Sequence, residues 1–173
     1  MPPISQQDRF VALIDEHRKI LFKIAGSYAR QPADREDLIQ EMVFQMWRSF
    51  AHYDDAQRFS TWMYRVGLNV AISFYRQQTR RNRVVVNDER LIELAPAPSE
   101  HETHEELAML HGLIEGLNEF ERALVILYLE GHAYAEIAPI LGISESNVGT
   151  KLNRIKQALR SDYAGKEKGH GTR

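Results

Sequence analysis

Apolar side chains at Phe10, Leu13, Ile14, Leu21, Ile24, Ala25 and Tyr28 recur at three- and four-residue steps, which predicts a helix from about Ser5 to Arg30. Gln31-Pro32-Ala33 breaks that helix. Asp34 then has the character of an N-cap, with Asp37 three residues on, since acid is favoured in a first helical turn. The next helix carries Leu38, Ile39, Met42, Val43, Met46, Trp47 and Phe50 as its apolar positions and runs to about Phe50. A polar loop, His52 to Gln57, follows. Ser60 can cap a third helix reaching about Arg81. The short run Val84-Val85-Val86 is the one stretch with strand character.

Residues 82–106 interrupt the periodicity. Ala95-Pro96-Ala97-Pro98-Ser99 cannot continue a helix. Helical spacing resumes near His104 with Leu107, Leu110, Leu113, Ile114 and Leu117. Phe120, Leu124, Leu127 and Tyr128 predict a further helix that Gly131 ends. Tyr134 to Val148 then has a helix-turn-helix pattern. Ile137, Ala138 and Leu141 give the first helix an inner face, and Ala138 is small where two helices must approach. Gly142 can take the positive φ of the turn, Ile143 plugs the core and Ser144 caps the second helix. Val148, Leu152 and Ile155 form the buried stripe of that second helix. Asn147, Thr150, Lys151, Asn153 and Arg154 lie opposite, as donors suited to base edges and phosphates. Pro139 opposes the pattern, because away from a first turn it bends a helix. The fold class expected is all-α: two small helical domains on a flexible acidic linker, the second with a helix-turn-helix.

Composition narrows the class. The chain has 173 residues, 43% of them hydrophobic, and no cysteine. A disulfide scaffold, a Cys-ligated zinc site and a thiol nucleophile are therefore excluded. No apolar run approaches a membrane span, so no membrane insertion is expected. The N-terminus lacks a basic start followed by an apolar stretch, so it does not read as a signal peptide. The expectation is a soluble cytoplasmic protein. There is no glycine-rich phosphate loop, no Ser/His/Asp constellation with a supporting motif and no nucleotide fingerprint. An enzyme, a small-molecule substrate and a cofactor are not expected. His101 and His104 flank Glu102, and His111 follows, but the linker offers them no fixed metal geometry.

The net charge of −2 hides a sharp pattern. Residues 1–81 hold 12 basic and 9 acidic side chains, whereas residues 82–106 hold 2 and 7. Between Asp55 and Asp88 there is no carboxylate but there are six arginines: Arg58, Arg65, Arg76, Arg80, Arg81 and Arg83. Between Glu145 and Asp162 there is again no carboxylate, with Lys151, Arg154, Lys156 and Arg160. Two separate basic surfaces suit two contacts with one long polyanion. The first also interleaves Phe59, Trp62, Tyr64, Phe74 and Tyr75, a combination that fits unstacked nucleic acid. Trp62, Val66 and Val70 share one stripe, so Trp62 also has a core reading.

These motifs together resemble the bacterial RNA polymerase sigma factors of the extracytoplasmic-function group, over roughly residues 8–81 and 107–160. Asp34 to Phe44 (DREDLIQEMVF) looks like the family's polymerase-binding helix. Phe59 to Val66 (FSTWMYRV), with Asn69-Val70-Ala71 after it, looks like its promoter-melting and −10-reading helix, and the helix-turn-helix resembles its −35-reading domain. The resemblance implies four segments: residues 1–81 for polymerase binding and the −10 element, a linker at 82–106, residues 107–161 for the −35 element, and a polar tail at 162–173. It implies core RNA polymerase and promoter DNA as partners, and an anti-sigma protein as a common further one. Asp37, Gln40, Glu41 and Phe44 fall on the polymerase-binding helix. Asn69 and Ser73 fall where the family reads upstream −10 bases, beside Arg58, Phe59, Arg65, Arg76 and Arg80, and the Tyr53-to-Ser60 loop falls where a flipped base is held. Ser146, Asn147, Thr150, Lys151, Asn153 and Arg154 fall on the −35 surface. Many members carry a basic residue where Gly149 stands. The rival readings are a dimeric helix-turn-helix regulator and an adaptor that binds polymerase without reading DNA.

Overall fold

The computed structural model describes residues 5–85 and 116–169, and all regular structure within them is helical. Six helices are present among the described residues: α1 (Gln6–Tyr28), α2 (Pro32–Phe50), α3 (Phe59–Val85), α4 (Glu119–Leu129), α5 (Tyr134–Leu141) and α6 (Glu145–Gly169). They fall into two units, divided at residues 94 and 95. The acidic linker, the helical pattern from His104 to Glu115 and the three linker-side histidines lie outside the described residues. No described helix is long and apolar enough to cross a membrane.

In the first unit, α1, α2 and α3 pack mutually. Ser5 starts α1 by accepting a hydrogen bond from the Asp8 amide at 3.1 Å. Asp34 does not cap α2. The helix begins two residues earlier at Pro32, whose fixed φ suits the first helical position and whose missing N–H costs nothing there. Asp34 lies in the first turn, where its charge still complements the helix dipole. Arg35 joins the two helices, since its Nε donates to the Ala29 carbonyl at 2.9 Å beyond the end of α1. Ser60 does not cap α3 either. The helix begins at Phe59, and the Trp62 amide donates to the Arg58 carbonyl at 3.2 Å. Burial of Phe59 draws the first turn one residue back. At its other end α3 continues through Val85, so Val84 and Val85 are helical rather than strand.

The core of this unit is a set of four-residue steps: Leu38, Met42, Met46 and Phe50 on α2 against Leu21, Ile24, Ala25 and Tyr28 on α1. Met63, Leu68 and Ala71 complete it from α3. Gly67 marks the tightest approach. A Cβ there would stand 2.9 Å from Ile24 Cδ1 and 3.3 Å from Met46 Cε, both on fully buried side chains. Gly67→Val should therefore destabilise the unit by about 1–3 kcal/mol through overpacking. That corresponds to a fall of several degrees in melting temperature, read by circular dichroism.

The second unit is built from local stops. Asn118 Oδ1 accepts from the Phe120 and Glu121 amides at 3.1 and 2.9 Å, and Glu121 accepts from the Asn118 amide at 3.1 Å, which completes a capping box on α4. Gly131 (φ +81°) and Gly142 (φ +68°) end α4 and α5 in the left-handed conformation that glycine adopts without strain. After each glycine the next amide reaches back five residues, His132 to Leu127 and Ile143 to Ala138, both at 3.1 Å. Pro139 lies in the second turn of α5, exposed, and forfeits one backbone bond just before the helix stops at Leu141. Ile137, Ala138 and Ile140 form the buried face of α5, while Leu141 and Ile143 are half-buried. Val148, Leu152 and Ile155 are buried as their spacing predicts. The α6 backbone continues to Gly169, so the first part of the polar tail, residues 162–169, is helical.

Candidate functional site

Three surfaces carry the residues singled out from the sequence. On α2, Asp37, Gln40, Glu41 and Phe44 are all exposed and share one stripe, at i, i+3, i+4 and i+7. Glu41 accepts from Gln45 Nε2 at 2.7 Å. Phe44 is 54% exposed, with the Arg48 guanidinium 5.8 Å from its ring centroid. Beside this stripe runs an open apolar groove of about 690 Å³, lined by Gln7, Phe10 and Val11 from α1 and by Ile39, Gln40, Val43, Phe44 and Trp47 from α2. Val11 is 58% exposed and Trp47 41%. The apolar pattern of α2 does not by itself tell Ile39, Val43 and Trp47, which line the groove, from Leu38, Met42 and Met46, which are buried in the core. The signal was the width of the α2 pattern. At ~100° per residue its seven apolar positions cover about half the helix circumference, more than one packed face uses.

On α3, Asn69, Ser73, Arg76 and Arg80 are exposed and again fall on one stripe, with steps of four, three and four. Arg65 lies at the stripe's start, half-buried, its Nε sheltered without a hydrogen-bond partner. Arg58 is exposed just before the helix. Phe59, expected on the DNA-facing surface, is instead buried at 6% exposure. Its ring packs against Trp62 at 5.3 Å, Tyr53 at 5.5 Å and His17 at 5.3 Å between centroids. Trp62 and Tyr64 are buried too, and Phe74 and Tyr75 are half-buried. Of the aromatics interleaved with the arginines, Phe59, Trp62 and Tyr64 therefore serve as core, and none of the five is fully exposed.

The loop between α2 and α3 rests on this aromatic cluster. Tyr53 stacks on Phe50 at 5.9 Å and leans on Trp62 at 5.2 Å. Its hydroxyl donates to the Gln57 carbonyl at 2.6 Å, which closes the loop on itself. Burial, and then the neighbouring Asp55 carboxylate, hold the Tyr53 hydroxyl above the ordinary tyrosine range, with Arg9 acting the other way. The fold thus favours the neutral phenol. The unfolded chain gives up that proton first, near the ordinary value of 10.0, so stability present below it is lost as pH rises through the folded value. Tyr53→Phe should melt with a shallower decline than the parent above about pH 10, measured as melting temperature against pH.

On α6, Ser146, Asn147, Thr150, Lys151, Asn153 and Arg154 are all exposed. Ser144 Oγ accepts from the Asn147 amide at 3.3 Å and fixes the start of the helix. Thr150 donates its hydroxyl to the Ser146 carbonyl at 3.0 Å, leaving its oxygen as an acceptor outward. Lys151 Nζ lies 5.6 Å from the Phe120 ring centroid on α4, and Lys156 Nζ 4.0 Å from that of Tyr128. A hydrogen bond with the Tyr128 side chain pushes the Lys156 amine above its ordinary range. Two of the four cations thus lean on α4, while Asn147, Asn153 and Arg154 carry the outward donors. A Cβ at Gly149 would meet the Tyr134 ring at 3.5 Å, an ordinary contact. Gly149→Ala should then raise stability by up to about 1 kcal/mol through helix propensity alone, measured by thermal melting.

Comparison with known proteins bears on these surfaces together. Residues 13–81 match Sigma-70 region 2, and residues 107–159 match Sigma-70, region 4. Among curated relatives, the ECF RNA polymerase sigma factor SigX of Bacillus subtilis is 27% identical over 167 residues, covering 89% of this chain and 83% of its own. Among solved structures, the sigma factor RpoE in complex with the anti-sigma factor NepR from Bartonella quintana aligns with a TM-score of 0.65 at 19% identity, covering 90% of this chain and 94% of its own. CnrH in complex with the cytosolic domain of CnrY aligns with a TM-score of 0.66 at 23% identity, covering 92% and 90%. With Sigma-70 region 2 and region 4 matched in that order, the chain belongs to the ECF-group RNA polymerase sigma factors, proteins of transcription initiation.

Proposed function

We propose that this chain acts as an alternative sigma factor that recruits core RNA polymerase, recognises a −35 and a −10 element and promotes melting of the promoter. In this reading residues 1–81 hold polymerase and the −10 element, residues 82–106 tether, and residues 107–161 read the −35 element. Asp37, Gln40, Glu41 and Phe44 on α2 meet the largest polymerase subunits. Asn69 and Ser73 read −10 bases as they leave the stack, with Arg76 and Arg80 on phosphate. Arg154, Asn153 and Asn147 read the −35 bases in the major groove. The protein works in the cytoplasm, where its polymerase is.

One observation carries the proposal. On two separate units a helical stretch without carboxylates, residues 59–85 on α3 and 146–161 on α6, exposes polar donors on one face while Trp62, Met63 and Leu68 on α3 and Val148, Leu152 and Ile155 on α6 are buried. A dimeric regulator needs one such helix, and an adaptor needs none. The open apolar groove beside the α2 stripe suits a partner helix. RpoE and CnrH were each solved with a protein partner, and an anti-sigma protein covering this groove would compete with polymerase. Run-off transcription from genomic fragments tests the reading. Core polymerase with the protein should initiate at sites that core polymerase alone leaves silent, and equal transcription with and without it would reject the proposal.

A further inference from the structure

Arg9, in the first turns of α1, reaches across the fold to a loop 46 residues away. Its guanidinium pairs with the Asp55 carboxylate and lies 5.8 Å from the Phe50 ring centroid. The loop itself is a tight, self-bonded turn. The Ala56 amide donates to Asp54 Oδ1 at 2.9 Å, the Gln57 amide to the Asp54 carbonyl at 3.0 Å, and the Tyr53 hydroxyl to the Gln57 carbonyl. Beneath it lie Phe50, Phe59 and Trp62. Two adjacent carboxylates, Asp54 and Asp55, would repel a nucleic-acid backbone brought to this edge. Arg9 offsets one of them and fastens the turn to α1, and Arg58 supplies the next cation along the chain.

We propose that Arg9 is a positioning residue for −10 recognition. Through Asp55 it holds the Tyr53–Gln57 turn in the one shape that receives an unstacked base, and it neutralises the carboxylate nearest that base. The proposal rests on the reading above, in which residues 1–81 engage the −10 element, and on the family resemblance that sets a flipped base at the Tyr53-to-Ser60 loop. Both partners are exposed, at 48% and 66%, so the pair contributes little to folding and its removal should leave the unit intact. What changes is loop placement, and with it discrimination among bases that must leave the stack to be read.

The test uses the full chain reconstituted with core polymerase and a promoter library in which the −10 element is randomised behind a −35 element the parent selects. Arg9→Asp, Asp55→Arg and the double charge swap are compared, with melting temperature and core affinity recorded for each. Arg9→Asp should relax base preference at one −10 position by about three- to fivefold, the range an exposed pair supports, with both controls unmoved. Asp55→Arg should relax the same position. The swap should restore preference to within about twofold of the parent. Single variants that relax preference without rescue in the swap would overturn the pairing, and so would parental selectivity in all three. Asn69→Ala on the same library separates the two levels. If it alters −10 selection while the Arg9 variants do not, the Arg9 proposal fails and the −10 reading stands. If neither alters it, both fail.

Discussion

Reversing Asp37 and Glu41 together to lysine should abolish assembly with core RNA polymerase while leaving the chain folded. The two carboxylates stand four residues apart on one exposed face of α2 and take no part in the unit's core. Their reversal would turn attraction into like-charge repulsion across an interface, at about 3 kcal/mol or more, which is roughly a hundredfold or greater loss of affinity. Phe44→Ala should weaken the same complex by removing an aromatic that is 54% exposed in the free chain. Pull-down of core polymerase and far-ultraviolet circular dichroism on the same samples check the outcome. Parental affinity in the double reversal, at parental helicity, would displace the interface from α2.

Arg154→Ala and Asn69→Ala should fail at different steps of one reaction. Arg154 is exposed on α6, where a bidentate contact to a base edge is worth about 1–3 kcal/mol of discrimination. Its loss should lower recruitment to duplex promoter about tenfold or more and relax the −35 preference. Asn69 is exposed on α3, on the stripe with Ser73, Arg76 and Arg80. Its loss should spare recruitment and impair opening, seen as lost permanganate reactivity of −10 thymines. Opening costs a few kcal/mol per unstacked base, so a template already mismatched over the −10 element removes that cost. Such a template should partly rescue Asn69→Ala and should not rescue Arg154→Ala. Identical defects in both variants on both templates would mean that the two surfaces do not divide the work.

Much of this was legible in the chain because the governing signals are local. Four-residue spacing set α1 and α2, Gly142 and Ser144 set the turn of the helix-turn-helix, and the two stretches without carboxylates fall on α3 and on residues 146–161 of α6. What escaped depended on partners distant in sequence. Asp34 and Ser60 carry good cap chemistry, but Pro32 and the burial of Phe59 start those helices elsewhere. Phe59 and Tyr64 stand among the arginines as residues for unstacked nucleic acid, yet both are buried, Phe59 by packing against His17 on α1 and Tyr53 in the loop. Trp47 failed the other way. Helical periodicity sets it among the apolar positions of α2, yet the three-helix packing fills with Leu38, Met42, Met46 and Phe50 and leaves Trp47 on the groove. The link from Arg9 to Asp55 has no sequence signal at all.

In the proposed reading one chain recognises two promoter elements while holding polymerase. That reading is tested most directly by selecting templates from a fully randomised upstream library with the reconstituted holoenzyme and sequencing those that are transcribed. Two elements should be enriched at one fixed spacing, with Arg154→Ala blurring the upstream element alone and Asn69→Ala the downstream one alone. Enrichment of a single palindromic site, or of no site beyond that selected by core polymerase, would contradict it.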